Sequence, residues 1–381
     1  MRRFLFKASI SAVICSLLFT SACGLSGGRF KHKQRQPYQG PMFESQSVSP
    51  GTAKSCDNLF KYEQTLKPDP KIEQKFYRVV KRFGGDMGVY FVDFFRDVGR
   101  KQCGRPMIQY VTFLRGYLHG QPQTDYQSMV HSVSTAIHET AHLYSAMALA
   151  HDRNAVKDKK NLLKRQYSHT SFRTESLGLV HVAHTPVFPA EEIDKVITYP
   201  EVKSNHRYAV YIAPSKTSLA TQAFGIYGLL DEFHAYYHDS IASNNVLHKM
   251  GKKLNRIRTS NNTYNSIYVD SAGAFLEFKL FILSYFRTAK QYHPETYRQL
   301  MQHGELLNVI VSLHDDYEKV YQRGEKLNRR LKLSAIFAEH REVMHRELAV
   351  PANRQMLREL REARNRYGKK PLRQVTTGTE H

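Results

Sequence analysis

The stretch STAIHETAHLYS, Ser134 to Ser145, lies in a run whose apolar residues Val130, Val133, Ile137, Ala141, Tyr144 and Ala148 recur at steps of three and four. That period marks one buried stripe on a helix. Thr124, with Gln127 three residues on, forms a capping-box pattern, so the helix is expected over about 125 to 150. His138 and His142 stand four apart, one above the other on a single face beside the stripe.

At that spacing both imidazoles reach one zinc ion. Glu139 points to the neighbouring face, where its carboxylate contacts a zinc-bound water without taking the metal. Zinc lowers the pKa of such a water and polarises a scissile carbonyl, which makes Glu139 the candidate general base. Here the chain resembles the zincin superfamily of metallopeptidases, whose active-site helix carries HExxH and follows an edge strand that aligns substrate. The resemblance covers the motif helix and extends over about 107 to 245. It implies one zinc per chain, a third protein ligand and hydrolysis of peptide bonds.

Position 145 is Ser and position 148 is Ala where metzincins carry Gly and His, and His151 is out of register. The third ligand is therefore sought in a downstream Glu. Glu232 in LLDEFHAYY is favoured, because Ala235 nearby is small enough for its helix to pack closely on the first. This looks like the gluzincin arrangement, in which a Glu from a second helix completes the site. Tyr236 stands where some gluzincins carry an Asp, which leaves Asp231 or Asp239 to orient a histidine. Rival ligands are Glu175 in RTESLG and Glu277 in AFLEFKLF; a lone carboxylate in that apolar run needs a partner such as Lys279, or a metal. For the second electrophile beside the metal, Tyr236 and His234 are carried forward, with Tyr237, His238 and Tyr211 unranked beside them. His181 and His184 lack the acidic or cysteine neighbours a second metal needs.

Outward from the motif, Phe76, Val79, Val80 and Phe83 and then Val89, Phe91 and Val92 suit helices broken at Gly84-Gly85. MIQYVTFL (107–114) and RYAVYIAPS (207–215) read as strands, and 225–242 and 272–286 as helices. A stripe from Leu306 through Leu331 predicts a long helix, its apolar pattern interrupted at Gly324, and Pro351 breaks a second helical stretch. The expected class is α+β, mainly α-helical. A zincin-like domain with a small sheet spans 59–300, followed by a basic helical extension over 301–367 and a disordered tail at 368–381.

The N-terminus adds a setting. Arg2, Arg3 and Lys7 precede an apolar run of signal-peptide length, and Phe19-Thr20-Ser21-Ala22-Cys23 resembles the bacterial lipobox. That resemblance implies a signal peptide over 1–23 and lipid on Cys23. Gly24 after it implies the outer membrane, facing the periplasm, if the host has two membranes. Residues 24–58 read as a flexible tether rich in Gly, Ser, Pro and basic side chains. In an oxidising compartment Cys56 and Cys103 are free to bond, the alternative being two buried thiols. Hydrophobic residues at 41% suffice for a packed core, and a net charge of +22 calls for anionic neighbours. For an exported chain these are a membrane surface, cell-wall polymers or acidic substrates, and no nucleic-acid module pattern occurs. The substrate is then a peptide or protein, or a peptide-bearing wall polymer. The competing reading is a non-catalytic envelope lipoprotein that binds anionic polymers, with HETAH accidental or holding a structural metal.

Overall fold

The computed structural model describes residues 70–90, 126–151, 169–213, 219–254, 261–331 and 338–368. The signal and Cys23, the tether, Cys56 and Cys103, the strand expected at 107–114, Thr124 and the tail beyond 368 lie outside the described residues.

The described chain is mainly α-helical with one two-stranded sheet. Helix α1 spans Pro70–Phe83 and α2 spans Tyr126–His151; strands β1 (His169–Thr174) and β2 (Gly178–Ala183) follow. Then come α3 (Ile226–Leu254), α4 (Asn261–Tyr292), α5 (Pro294–Gln302), α6 (Gly304–Leu331), α7 (Ala338–Ala349) and α8 (Pro351–Tyr367). The first helix ends at Gly84, and Gly85 (φ 60°) starts further helical turns, as the paired glycines suggested. Pro351 separates α7 from α8 by standing in the first turn of α8, where its missing N–H is no loss. Gly324 interrupts the stripe on α6 but not the helix.

Helix α3 is the organising element, packed against α2, α4 and α6. Its Phe233 and Tyr237 meet Phe275 of α4 and Tyr317 of α6 in an aromatic cluster, all with 2% exposure or less. Each such ring removed from water contributes about 1.5–3 kcal/mol, which compensates for the absence of tryptophan. The described residues of 304–367 lie mostly in helices, and Leu306, Leu313, Met344 and Leu360 join this same core, so the basic residues there form the outer face of elements the core requires.

Two local features differ from expectation. Within the expected strand the described residues, 207–213, are not extended: Tyr208–Ile212 form a π-helical turn, closed by the Ala213 amide on the Tyr208 carbonyl at 3.0 Å. Tyr208 and Ile212 both face the core, and the Tyr211 carbonyl accepts from Thr221 and Gln222 rather than from a sheet partner. The sheet instead comes from 169–183, an antiparallel hairpin registering His169 with Ala183 and Thr174 with Gly178. Its turn carries Thr174, whose hydroxyl accepts from the Leu177 amide, and Gly178 at φ 69°.

Candidate metal centre

Helix α2 is held by its apolar stripe, with Val133, Ile137 and Ala141 at or below 1% exposure. That anchoring turns His138 and His142 toward α3. Gly225 immediately precedes α3, and its φ of 53° and tight surroundings admit no side chain: a Cβ would stand 2.4 Å from the Phe188 carbonyl oxygen. Downstream, Asp231, Glu232 and Tyr236 face α2, and Ala235 is fully buried.

Three donor atoms converge between the helices. Nε2 of His138 and Nε2 of His142 are 3.1 Å apart, and Oε2 of Glu232 lies 3.7 Å from the first and 3.5 Å from the second. The ligands of a tetrahedral zinc at about 2.0–2.1 Å are separated by about 3.3–3.4 Å, so this triangle fits the ion's face. Both carboxylate contacts are long for hydrogen bonds, and buried Oε2 satisfies none. An unsatisfied buried carboxylate oxygen facing two imidazole nitrogens is what a cation would resolve.

The surroundings prepare the donors. Asp231 Oδ2 lies 2.7 Å from His142 Nδ1, so the carboxylate accepts the Nδ1 proton and, once the ring gives up its other proton to a metal, the Nε2 lone pair faces inward. Burial opposes charge on His142, but Asp231 and Glu232 outweigh it and raise its pKa well above the ordinary histidine value. Burial likewise opposes the Glu232 carboxylate, yet the two imidazoles hold its pKa far below the usual range. Glu139 is 8% exposed; burial raises its pKa, the histidines pull it down, and Glu232 and Asp231 push it up. A carboxyl poised this way serves proton transfer better than one fully solvated.

Tyr236 reaches the centre, its ring meeting that of His138 edge-on at 4.4 Å. Its hydroxyl is 3.3 Å from that of Tyr211, and burial pushes the phenol up to about 12, so it remains a donor at neutral pH. His234 is not brought to the site. Three residues after Asp231, it also faces α2, but one turn beyond the ligand His142. There His234 is fully buried, with Nδ1 on Ser145 and Nε2 accepting from the Arg173 amide at 3.0 Å. His238 Nε2 donates to the carbonyl of the same residue at 3.1 Å. The pair serves β1, and His234 has no exposure to a substrate. Tyr237 lies in the aromatic core, and Asp239 accepts from Ser243.

The rival ligands are placed elsewhere. Glu175 is exposed in the hairpin turn. Glu277 is 2% exposed, but its partners are Arg207 at 2.7 Å and His340 at 3.3 Å; Lys279, two residues away and on another face, stands over the Phe275 ring. His181 and His184 bond the hydroxyls of Ser171 and Thr170. His314, Asp315 and Glu318 of α6 also approach one another, but Arg361 binds Asp315 at 2.6 Å and Lys279 adds a further cation nearby. Sequence reading gave no role to Arg207 or His340, since nothing local ties either to residue 236 or 277.

Comparison with known proteins adds no relative: no family model, no curated protein and no solved structure matches the chain.

Proposed function

We propose that the chain is a zinc metallopeptidase of the zincin type, gluzincin-like in its ligand set, with zinc held by His138, His142 and Glu232. The convergence of their three donor atoms around an unsatisfied carboxylate oxygen carries this reading. Zinc bound there would lower the pKa of a water and polarise a scissile carbonyl. Glu139 accepts the proton of the attacking water and delivers it to the departing amine. Tyr236 donates its hydroxyl to the charge developing on the carbonyl oxygen. Asp231 keeps His142 in the tautomer whose Nε2 is free to ligate.

The setting belongs to the same proposal: an exported protein with lipid on Cys23, working at an anionic membrane surface on a peptide, a protein or a peptide-bearing wall polymer. No helix among the described residues is long and apolar enough to cross a membrane. The mass of the mature N-terminal peptide tests that part, and an unmodified Cys23 would refute it.

For the chemistry, Glu139→Gln is the test. It should lower hydrolysis of a mixture of internally quenched peptides by about 10²–10⁴-fold while zinc content stays at the parent's level. Parent-like activity in this variant would remove Glu139 from the mechanism.

A further inference from the structure

Beside the metal ligands lies a buried ion pair that the mechanism above does not use. Arg207, 8% exposed at the start of the π-helical turn, extends its guanidinium to the face of Tyr236, 4.6 Å from the ring centroid. The Arg207 Nη1 donates to Glu277 Oε2 at 2.7 Å, and Glu277 Oε1 is 3.3 Å from His340 Nε2 on α7.

A buried Arg–Glu pair adds little stability over well-packed apolar residues of the same size. What it does supply is a cation fixed in place over one aromatic ring. Because Glu277 already neutralises it, Arg207 is poorly suited to receive a substrate carboxylate. The ring under it is the one whose edge meets the ligand His138 and whose hydroxyl meets Tyr211. Tyr236 also meets Phe278, centroid to centroid at 5.4 Å, so the guanidinium is one of several contacts that restrict the phenol's side-chain torsions.

We infer that Arg207 is a positioning residue for Tyr236, clamping the phenol over the metal centre, and that Glu277 and His340 lock the clamp from α4 and α7. The inference rests on the hydrolase reading above, and it makes the C-terminal helices part of the working site.

Removing Arg207 alone would strand Glu277, so the paired variant Arg207→Met/Glu277→Leu is used in the full-length protein, with and without Tyr236→Phe. On quenched peptides the paired variant should lose about 10–100-fold in kcat, with KM within about threefold and zinc content unchanged. In the Tyr236→Phe background the same pair should cost less than about threefold, because the group it positions is already gone. Multiplying losses in the two backgrounds, or a loss confined to KM, would overturn the inference while leaving the hydrolase reading intact. A parent without zinc-dependent hydrolysis would overturn both. A readout that needs no activity is the 19F spectrum of the metal-free, 3-fluorotyrosine-labelled protein, with the Tyr236 line assigned by Tyr236→Phe. That line should shift and broaden in the paired variant; an unchanged line would also overturn the clamp.

Discussion

Asp231 Oδ2 sits 2.7 Å from Nδ1 of His142, on the side of the ring opposite the Nε2 atom that faces His138 and Glu232. The adjacent residues Asp231 and Glu232 thus grip one histidine from two directions, one fixing its tautomer and the other sharing its lone-pair side. Asp231→Ala should weaken zinc affinity by about 10–100-fold in competition with a chromophoric chelator. Affinity equal to the parent's would show that Asp231 has no part in preparing His142.

The Arg207–Glu277 pair makes a statement about acid stability. Burial alone would raise the Glu277 pKa; the Arg207 charge and His340 overcome it and hold the pKa below the ordinary 4.5. A carboxyl depressed by folding stabilises the native state fully above its ordinary pKa, and that contribution is lost as pH falls through the folded value. Glu277→Gln should therefore destabilise at pH 7, by about 3–5 kcal/mol because Arg207 is left buried without a counter-charge. It should also flatten the fall in stability below about pH 4.5. Urea unfolding across pH 3–7 checks both, and parallel curves for parent and variant would contradict the assignment.

Gly225 opens the helix that delivers Asp231, Glu232 and Tyr236. Gly225→Ala combines a φ of 53° with a Cβ 2.5 Å from the Tyr285 hydroxyl and closer still to the Phe188 carbonyl oxygen. A loss of about 1–3 kcal/mol or more follows, read as a lowered unfolding midpoint, together with weaker zinc retention as α3 shifts. A variant as stable as the parent would mean that the start of α3 is not constrained as described.

How much of this was legible beforehand depends on the reach of each signal. Helix α2 and its histidine pair follow from an unbroken three-and-four period, and Glu232 from a helix with a small residue at its contact, both local patterns. The strand expected at 207–215 failed because YAVYI alternates like a strand, while Tyr208 and Ile212 in fact share the buried side of a π-helical turn. Hairpin 169–183 escaped notice because HTSFRT alternates too weakly and its free edge is held by His234 and His238, some sixty residues on. His234 was carried forward on nearness in sequence to Glu232, yet its ring bonds Ser145 and the Arg173 backbone rather than joining the three donors. The Arg207–Glu277–His340 chain joins three distant segments, and no spacing rule connects them.

The central claim is that His138, His142 and Glu232 together hold one metal ion. Metal analysis of the purified protein after dialysis against a weak chelator tests it, alongside His142→Ala, Glu232→Ala and, as the control outside the cluster, His234→Ala. The account predicts about one zinc per chain in the parent and in the folded His234 variant, and far less than one in the other two. Zinc absent from the parent, or kept as tightly after Glu232→Ala as before, would contradict it.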